Sequence, residues 1–282
     1  MTHQPTRMPA VFFGHGSPMN TLQDNQHTAA WAQFGQRAQR PRGIVCVSAH
    51  WYIRGTAVTA MPDPKTIHDF AGFPKTLYDI QYPAPGDPAL AARVKELLAP
   101  TEVIEDTSRW GLDHGTWSVL KHVYPGADVP VVQLASDGTK PLDDHFHLAR
   151  RLAPLRDEGG LVAGSGNVVH NLATVAREAG AAPLPWATRF NDEVRSRLLA
   201  NDHAWLADMV VMGANGALSI PTPEHYVGIT PGRTDRGSSP WPTRPRSPAR
   251  RCPARRCWRR PRQGHAAASS IRTRDRRRCP ST

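Results

Sequence analysis

The sequence predicts an α/β fold with a largely parallel or mixed central sheet, helices on both faces in three layers, and a metal site at the carboxyl ends of the strands. Two observations carry this. Short apolar runs alternate with amphipathic stretches along the first 226 residues, the pattern of strands crossing over through helices. Three of the runs lead into a histidine among small residues: Ala10 to Phe13 into Gly14-His15-Gly16-Ser17-Pro18, Ile44 to Val47 into Ser48-Ala49-His50-Trp51, and Leu161 to Ala163 into Gly164-Ser165-Gly166-Asn167-Val168-Val169-His170. Strand ends that converge on one crevice are where open α/β sheets bind ligands. A single such histidine reads as a core or capping residue; three in one context read as a site.

Taken in order, the first strand is followed by a helix capped by Asp24 or Asn25 and running to about Ala38, with Ala30, Trp31 and Phe34 on its apolar face. Pro41-Arg42-Gly43 breaks it, and a second strand spans Gly43 to Ala49. A short apolar stretch near Ala57 to Met61 precedes a long irregular segment, Pro62 to Pro85, which holds His68-Asp69-Phe70 and has the length of a lid or substrate wall. Asp87-Pro88 starts the next helix, a capping side chain followed by proline at the first helical position, and the helix lasts until Pro100. A strand at Glu102 to Glu105, a helix from Thr116 to Tyr124 and a strand at Val129 to Leu134 follow. Asp143 to Asp157 reads as helix interrupted at Pro154. After the third histidine-bearing strand comes a helix from about Thr188 to Ala200.

Charge divides the chain. Residues 227–282 carry 16 Arg, 2 Asp and no Lys, whereas the first 226 residues hold 19 Lys plus Arg against 22 Asp plus Glu. The body is therefore mildly acidic and offers no basic surface for nucleic acid or anionic membrane. Nucleic acid is unexpected as a partner except through the tail, and no run of about 18 apolar residues suggests a membrane span. One apolar-flanked thiol in the body, Cys46, fits a reduced, cytoplasmic setting.

Five of the 13 histidines lie in Gly- or Pro-rich turns: His15, His50, His114, His170 and His225. None lies in a Cys-x-x-Cys or His-Glu-x-x-His context, and no phosphate loop or nucleophile elbow is present. Imidazoles drawn from separate strand ends suit Fe(II), Zn(II) or Cu(II).

Gly14-His15-Gly16-Ser17-Pro18-Met19, Ser48-Ala49-His50-Trp51, His68-Asp69-Phe70, Tyr82-Pro83-Ala84-Pro85-Gly86, Gly111-Leu112-Asp113-His114-Gly115, Gly164 to Asn171 and Pro221-Thr222-Pro223-Glu224-His225-Tyr226 together resemble the 4,5-DOPA extradiol dioxygenase family, within the class III extradiol dioxygenases. The resemblance implies a dioxygenase with one non-haem metal per chain, Zn(II) as isolated or Fe(II) for ring cleavage, opening a catechol such as DOPA with O2 as co-substrate. It implies His15, His50, His170 and His225 as metal ligands, and His114 and His170 as catalytic residues. Two assignments stay open: His170 is either a ligand or the base that takes the catechol proton, and either Glu224 or His225 supplies the last ligand. His114 is expected to act as acid or hydrogen-bond donor, and His68 and Asp69 either line the substrate mouth or cap the loop.

After Tyr226 the sequence departs from the family. Residues 1–226 are expected to form the catalytic domain, incomplete at its C-terminal side, and residues 227–282 an Arg/Pro-rich disordered tail, read as a frameshift product. A basic nucleic-acid-binding arm and a fused foreign segment are the alternatives for the tail, and a zinc-dependent hydrolase on the same histidines the alternative for the body.

Overall fold

The computed structural model describes residues 7–175 and 181–229. Six strands form one sheet: β1 (Ala10–Gly14), β2 (Gly43–Ile53), β3 (Thr56–Thr59), β4 (Val103–Asp106), β5 (Val131–Asp137) and β6 (Gly160–Gly166). They lie in the order β1-β6-β2-β5-β3-β4. All neighbours are parallel except β3 and β5, which pair antiparallel through Val58 and Leu134. The sheet is thus mixed. Its central strands are apolar on both faces, as strands covered by helices on each side must be.

Alternation along β2 shows the layers directly. Ile44 and Cys46 join a core built with Trp31 of α1 (Gln26–Arg37) and Trp117 and Leu120 of α4 (His114–Val123). Val45 and Val47 face the opposite core, with Val94 and Leu98 of α3 (Pro88–Leu98) and Leu155 of α6 (Ala153–Asp157). A third cluster gathers Phe190 and Val194 of α7 (Pro185–Ala200) with Tyr226 and Val227 of α10 (Glu224–Val227). Packing between α1 and α4 is close enough that a Cβ on Gly35 would sit 2.0 Å from the Val123 carbonyl oxygen.

Several expectations shift in detail. Asn25, not Asp24, caps α1 through a reciprocal pair of bonds with Thr28. Ala30 is exposed, and the buried face of α1 runs through Thr28 and Trp31, with Phe34 half-buried. The strand expected to stop at Ala49 continues to Ile53, so His50 lies within β2, not beyond its end. The segment 62–85 holds one short helix, α2 (Lys75–Tyr78). The helix expected from Thr116 starts at His114 because Asp113 caps it, its side chain accepting from Thr116 N. The stretch through Pro154 is two helices, α5 (Leu142–Arg151) and α6. Three short helices near the end, α8 (His203–Leu206), α9 (Gly213–Ser219) and α10, carried no periodic signal long enough to read.

Packed residues run on to Ile229, which is buried with Val227. The expectations for the tail beyond Ile229 fall outside the described residues. Among the described residues, no helix is long and apolar enough to cross a membrane. Cys46 is buried as a free thiol.

Candidate metal centre

Each histidine is delivered by a different element. His15 follows β1 directly; its N–H continues the ladder to the Gly166 carbonyl at 3.0 Å, and its own carbonyl accepts from Asn20 Nδ2 at 3.0 Å. Gly16, at φ +61°, then turns the chain away through the left-handed region that favours glycine. His50 sits where β2 shifts register against β5, between Val47 and Tyr52, an irregularity of the kind that re-aims a side chain beside a site. Behind it, a Cβ on Gly115 would lie 2.6 Å from Ser48 Oγ and 2.9 Å from His50 Cδ2. His114 is the first residue of α4. His225 lies on α10, whose His225 carbonyl accepts from Asn167 N at 2.9 Å, and His170 hangs from a bond between its N–H and the Ser219 carbonyl at 2.8 Å.

The five imidazoles form one cluster. Ring nitrogens of His15, His50 and His114 lie within 4.8 Å of one another, and atoms of His170, Glu224 and His225 form a second such trio. His225 joins the two, its ring centre 5.1 Å from that of His15 and 5.2 Å from that of His50, while it stacks on His170 at 3.4 Å. The residues expected as ligands, His15, His50, His170 and His225, and those expected to be catalytic, His114 and His170, therefore share one site. Glu224 stands beside His170 and His225, its carboxylate accepting from Thr222 Oγ1 at 2.7 Å.

Hydrogen bonds fix which nitrogens are free. Ser165 Oγ spends its single proton on the Gly115 carbonyl at 2.5 Å, so at 3.0 Å it accepts from His15 Nδ1–H. His15 Nε2 is left with its lone pair, 3.3 Å from His50 Nε2. On the far side of the His50 ring, Nδ1 stands 3.2 Å from Asp69 Oδ2. Two imidazole nitrogens bound at about 2.0–2.1 Å to one tetrahedral metal are separated by roughly 3.3 Å, so this pair fits a first-row metal ion. His225 differs. Asn167 Oδ1 accepts from Gly16 N, which orients the amide so that Nδ2 donates to His225 Nδ1 at 3.1 Å. The other nitrogen, Nε2, then carries the ring proton.

Electrostatics keep four of these rings, His15, His50, His170 and His225, neutral. Burial, reinforced by the neighbouring imidazoles, holds His15 well below the usual histidine range. Burial and His114 bring His50 down to about 4, with Asp69 opposing, and burial with His170 and His50 brings His225 to about 2. Burial lowers His170 as well, against Glu224. Neutral imidazoles are the form that ligates a metal.

The cluster opens on a cavity of about 680 Å³ lined by Phe70, Phe73, Val169, Leu172, Leu184 and Trp186. Sequence reasoning missed the polar layer behind the rings. Ser48 Oγ donates to Asp113 Oδ1 at 2.7 Å, Gln133 Nε2 donates to Asp113 Oδ2, and Thr116 Oγ1 donates to Gln133 Oε1 at 2.8 Å. Burial pushes the Asp113 carboxyl up to about 6. Lone polar residues in apolar surroundings, Ser48 and Gln133 inside strands β2 and β5 and Thr116 in α4, were the available signal. His68 turns from the site, its Nε2 bonding the Ile80 carbonyl at 2.9 Å.

A mixed α/β sheet that presents a histidine metal centre on a largely apolar cavity defines a metal-dependent enzyme acting on a small aromatic molecule. Residues 1–225 match the family of the catalytic LigB subunit of aromatic ring-opening dioxygenase, and the chain belongs to that family. It is 54% identical over 226 residues to the 4,5-DOPA dioxygenase extradiol of Escherichia coli (strain K12), covering 79% of this chain and 83% of that one. Against the 4,5-DOPA dioxygenase extradiol of Beta vulgaris it is 34% identical over 221 residues, 76% of this chain and 82% of the relative. A crystal structure of an uncharacterized Escherichia coli K12 protein superposes with a TM-score of 0.69 at 49% identity, covering 79% of this chain and 87% of that one. The protein is an extradiol dioxygenase that uses a metal, a small aromatic substrate and O2. Neither a zinc hydrolase nor a nucleic-acid-binding protein finds support among these relatives.

Proposed function

We propose that the enzyme opens the ring of a catechol, DOPA or a similar aromatic diol, and that it holds Zn(II) as isolated and Fe(II) when it cleaves. The observation that carries this reading is the facing pair of Nε2 atoms, His15 and His50, 3.3 Å apart at the floor of an apolar cavity. His15 and His50 are the first two ligands, with His225 and His170 completing or bordering the set. A metal held there would supply Lewis acidity toward the catechol and redox chemistry toward O2. The chain's own residues do the rest. Phe70, Phe73 and Trp186 stack against the ring and exclude water. His170, below the usual histidine range and so neutral, has a nitrogen able to take a catechol proton. His114, held by Asp69, lines the same cavity.

The preference for zinc on isolation follows from the Irving–Williams order, in which imidazole sites bind Zn(II) above Fe(II). Anaerobic reconstitution with Fe(II), followed by O2 uptake against a panel of catechols, tests the reading. The expected result is stoichiometric uptake with a yellow semialdehyde for at least one catechol; uptake with none, in protein that binds iron, would refute it. The reading extends to a catalytic domain of residues 1–226 followed by a separate tail, supported by a family match that ends at residue 225. A cytoplasmic location is supported by the buried free thiol of Cys46.

A further inference from the structure

Asp69 comes from the long loop between β3 and α3, not from the sheet, yet it reaches two of the site's imidazoles. Its Oδ1 accepts from the backbone N–H of His114 at 2.9 Å, and its Oδ2 accepts from His114 Nδ1 at 2.9 Å. The same Oδ2 lies 3.2 Å from His50 Nδ1. Both carboxylate oxygens are thus committed to donors on His114, and one of them also faces His50. The Asp69 carboxyl is only slightly accessible, and its position is reinforced by the loop's aromatic packing, Phe70 against His114 and Trp117.

We propose that Asp69 is a positioning residue that locks His114 in the tautomer protonated at Nδ1, so that the nitrogen His114 turns toward substrate is a proton acceptor, and that it biases His50 the same way. A carboxylate can only accept hydrogen bonds. His114 Nδ1 must therefore carry the proton, and in the neutral ring Nε2 carries the lone pair. This reverses the role expected from sequence, in which His114 begins as acid or donor. His114 Nε2 therefore offers a lone pair, as a hydrogen-bond acceptor, to a catechol hydroxyl. At His50 the carboxylate oxygen favours the proton on Nδ1, leaving Nε2 free to face His15 Nε2. The inference rests on His50 and His114 belonging to the working site.

The conservative exchange Asp69→Asn separates tautomer from shape. An amide offers one acceptor oxygen and one NH2. With the oxygen toward Nδ1 the NH2 would face the His114 backbone N–H, donor against donor, so the amide takes the reverse orientation, its oxygen accepting from that N–H and its NH2 meeting His114 Nδ1, which drives the ring proton to Nε2. In the Ser-His-Asp triad an Asp-to-Asn change that reverses a histidine tautomer lowers kcat about 10⁴-fold with the geometry intact. Two-bond 1H–15N spectra of metal-free, 15N-histidine-labelled full-length protein report the tautomer directly, with His114→Ala used to assign the resonance.

The expected result is an Nδ1–H signature for His114 in the parent protein, lost or reversed in D69N. On iron-loaded enzyme, kcat should then fall by about 10²- to 10⁴-fold with KM little changed. An Nε2–H signature for His114 in the parent protein overturns the proposal whether or not D69N folds. So does an unchanged tautomer in folded D69N. Because the spectra need neither metal nor turnover, failure of the ring-cleavage reading would appear separately, as an absence of catechol-dependent O2 uptake in the parent enzyme.

Discussion

At the scale of single residues, His15, His50, His170 and His225 are kept neutral by burial, and hydrogen bonds with Ser165, Asn167 and Asp69 aim the rings of His15, His225 and His114. His15→Ala or His50→Ala removes one of the two facing Nε2 atoms, so either variant should lose metal and activity together, as read by metal content after dialysis. His114→Ala should keep its metal and lose turnover by roughly 10² to 10⁴, the range for removing a proton-transfer group. Neutral burial also sets a pH dependence for the metal-free protein. His50 titrates at about 4 when folded, against 6.5 for the ordinary group. Between these values the unfolded chain binds a proton that the folded chain does not, so this contribution is intact above about pH 6.5 and is lost as pH falls toward 4. His50 alone accounts for about 3 kcal/mol. Urea unfolding of metal-free protein at pH 7.5 and 4.5 checks it; equal stability at the two would contradict the burial of neutral rings.

At the scale of elements, the position of α10 decides whether His225 reaches the cluster. This short helix is pressed onto β6 where the strand has no side chains: a Cβ on Gly166 would lie 2.0 Å from the His225 carbonyl oxygen, and one on Gly164 would lie 1.9 Å from that of Gly228. Both clashes are with backbone, which cannot swing aside as a flexible side chain can. Gly166→Ala should therefore lift α10 from the sheet, cost about 1–3 kcal/mol as overpacking does, and weaken metal binding. The check is Zn(II) affinity by chelator competition alongside thermal unfolding. A variant with lowered melting temperature but parental zinc affinity would show that His225 does not depend on this seat.

At the scale of the whole molecule, the centre ties distant parts of the chain together. Candidate ligands come from the end of β1, the interior of β2, the turn after β6 and α10, so no preformed site exists in the unfolded chain. Metal that binds only the folded state stabilises it by about 2.7 kcal/mol at 100 times the Kd. Calorimetric unfolding with zinc added and with a chelator should differ accordingly, the metal raising Tm in a concentration-dependent way. A Tm that ignores zinc at saturating concentration would mean that the cluster does not act as one site.

The α/β class and the histidines His15, His50 and His170 were legible in the sequence, because apolar runs leading into small residues and a histidine are local patterns, readable without knowing what they pack against, while His114 and His225 stood out only as histidines in Gly- or Pro-rich turns. Capping at Asp87-Pro88 and the breaks at Pro41 and Pro154 were legible for the same reason. Only the tertiary structure decided the strand order, with β6 inserted between β1 and β2, since parallel pairing joins segments far apart in sequence. It also supplied the partners of Asp69, Ser165 and Asn167, which the motifs around them do not reveal. Asp69 lies 45 residues from His114, and Ser165 lies 150 from His15. What makes each matter is a proton shared across that separation, and a hydrogen bond depends on where two atoms meet in space, not on where their residues stand in the chain.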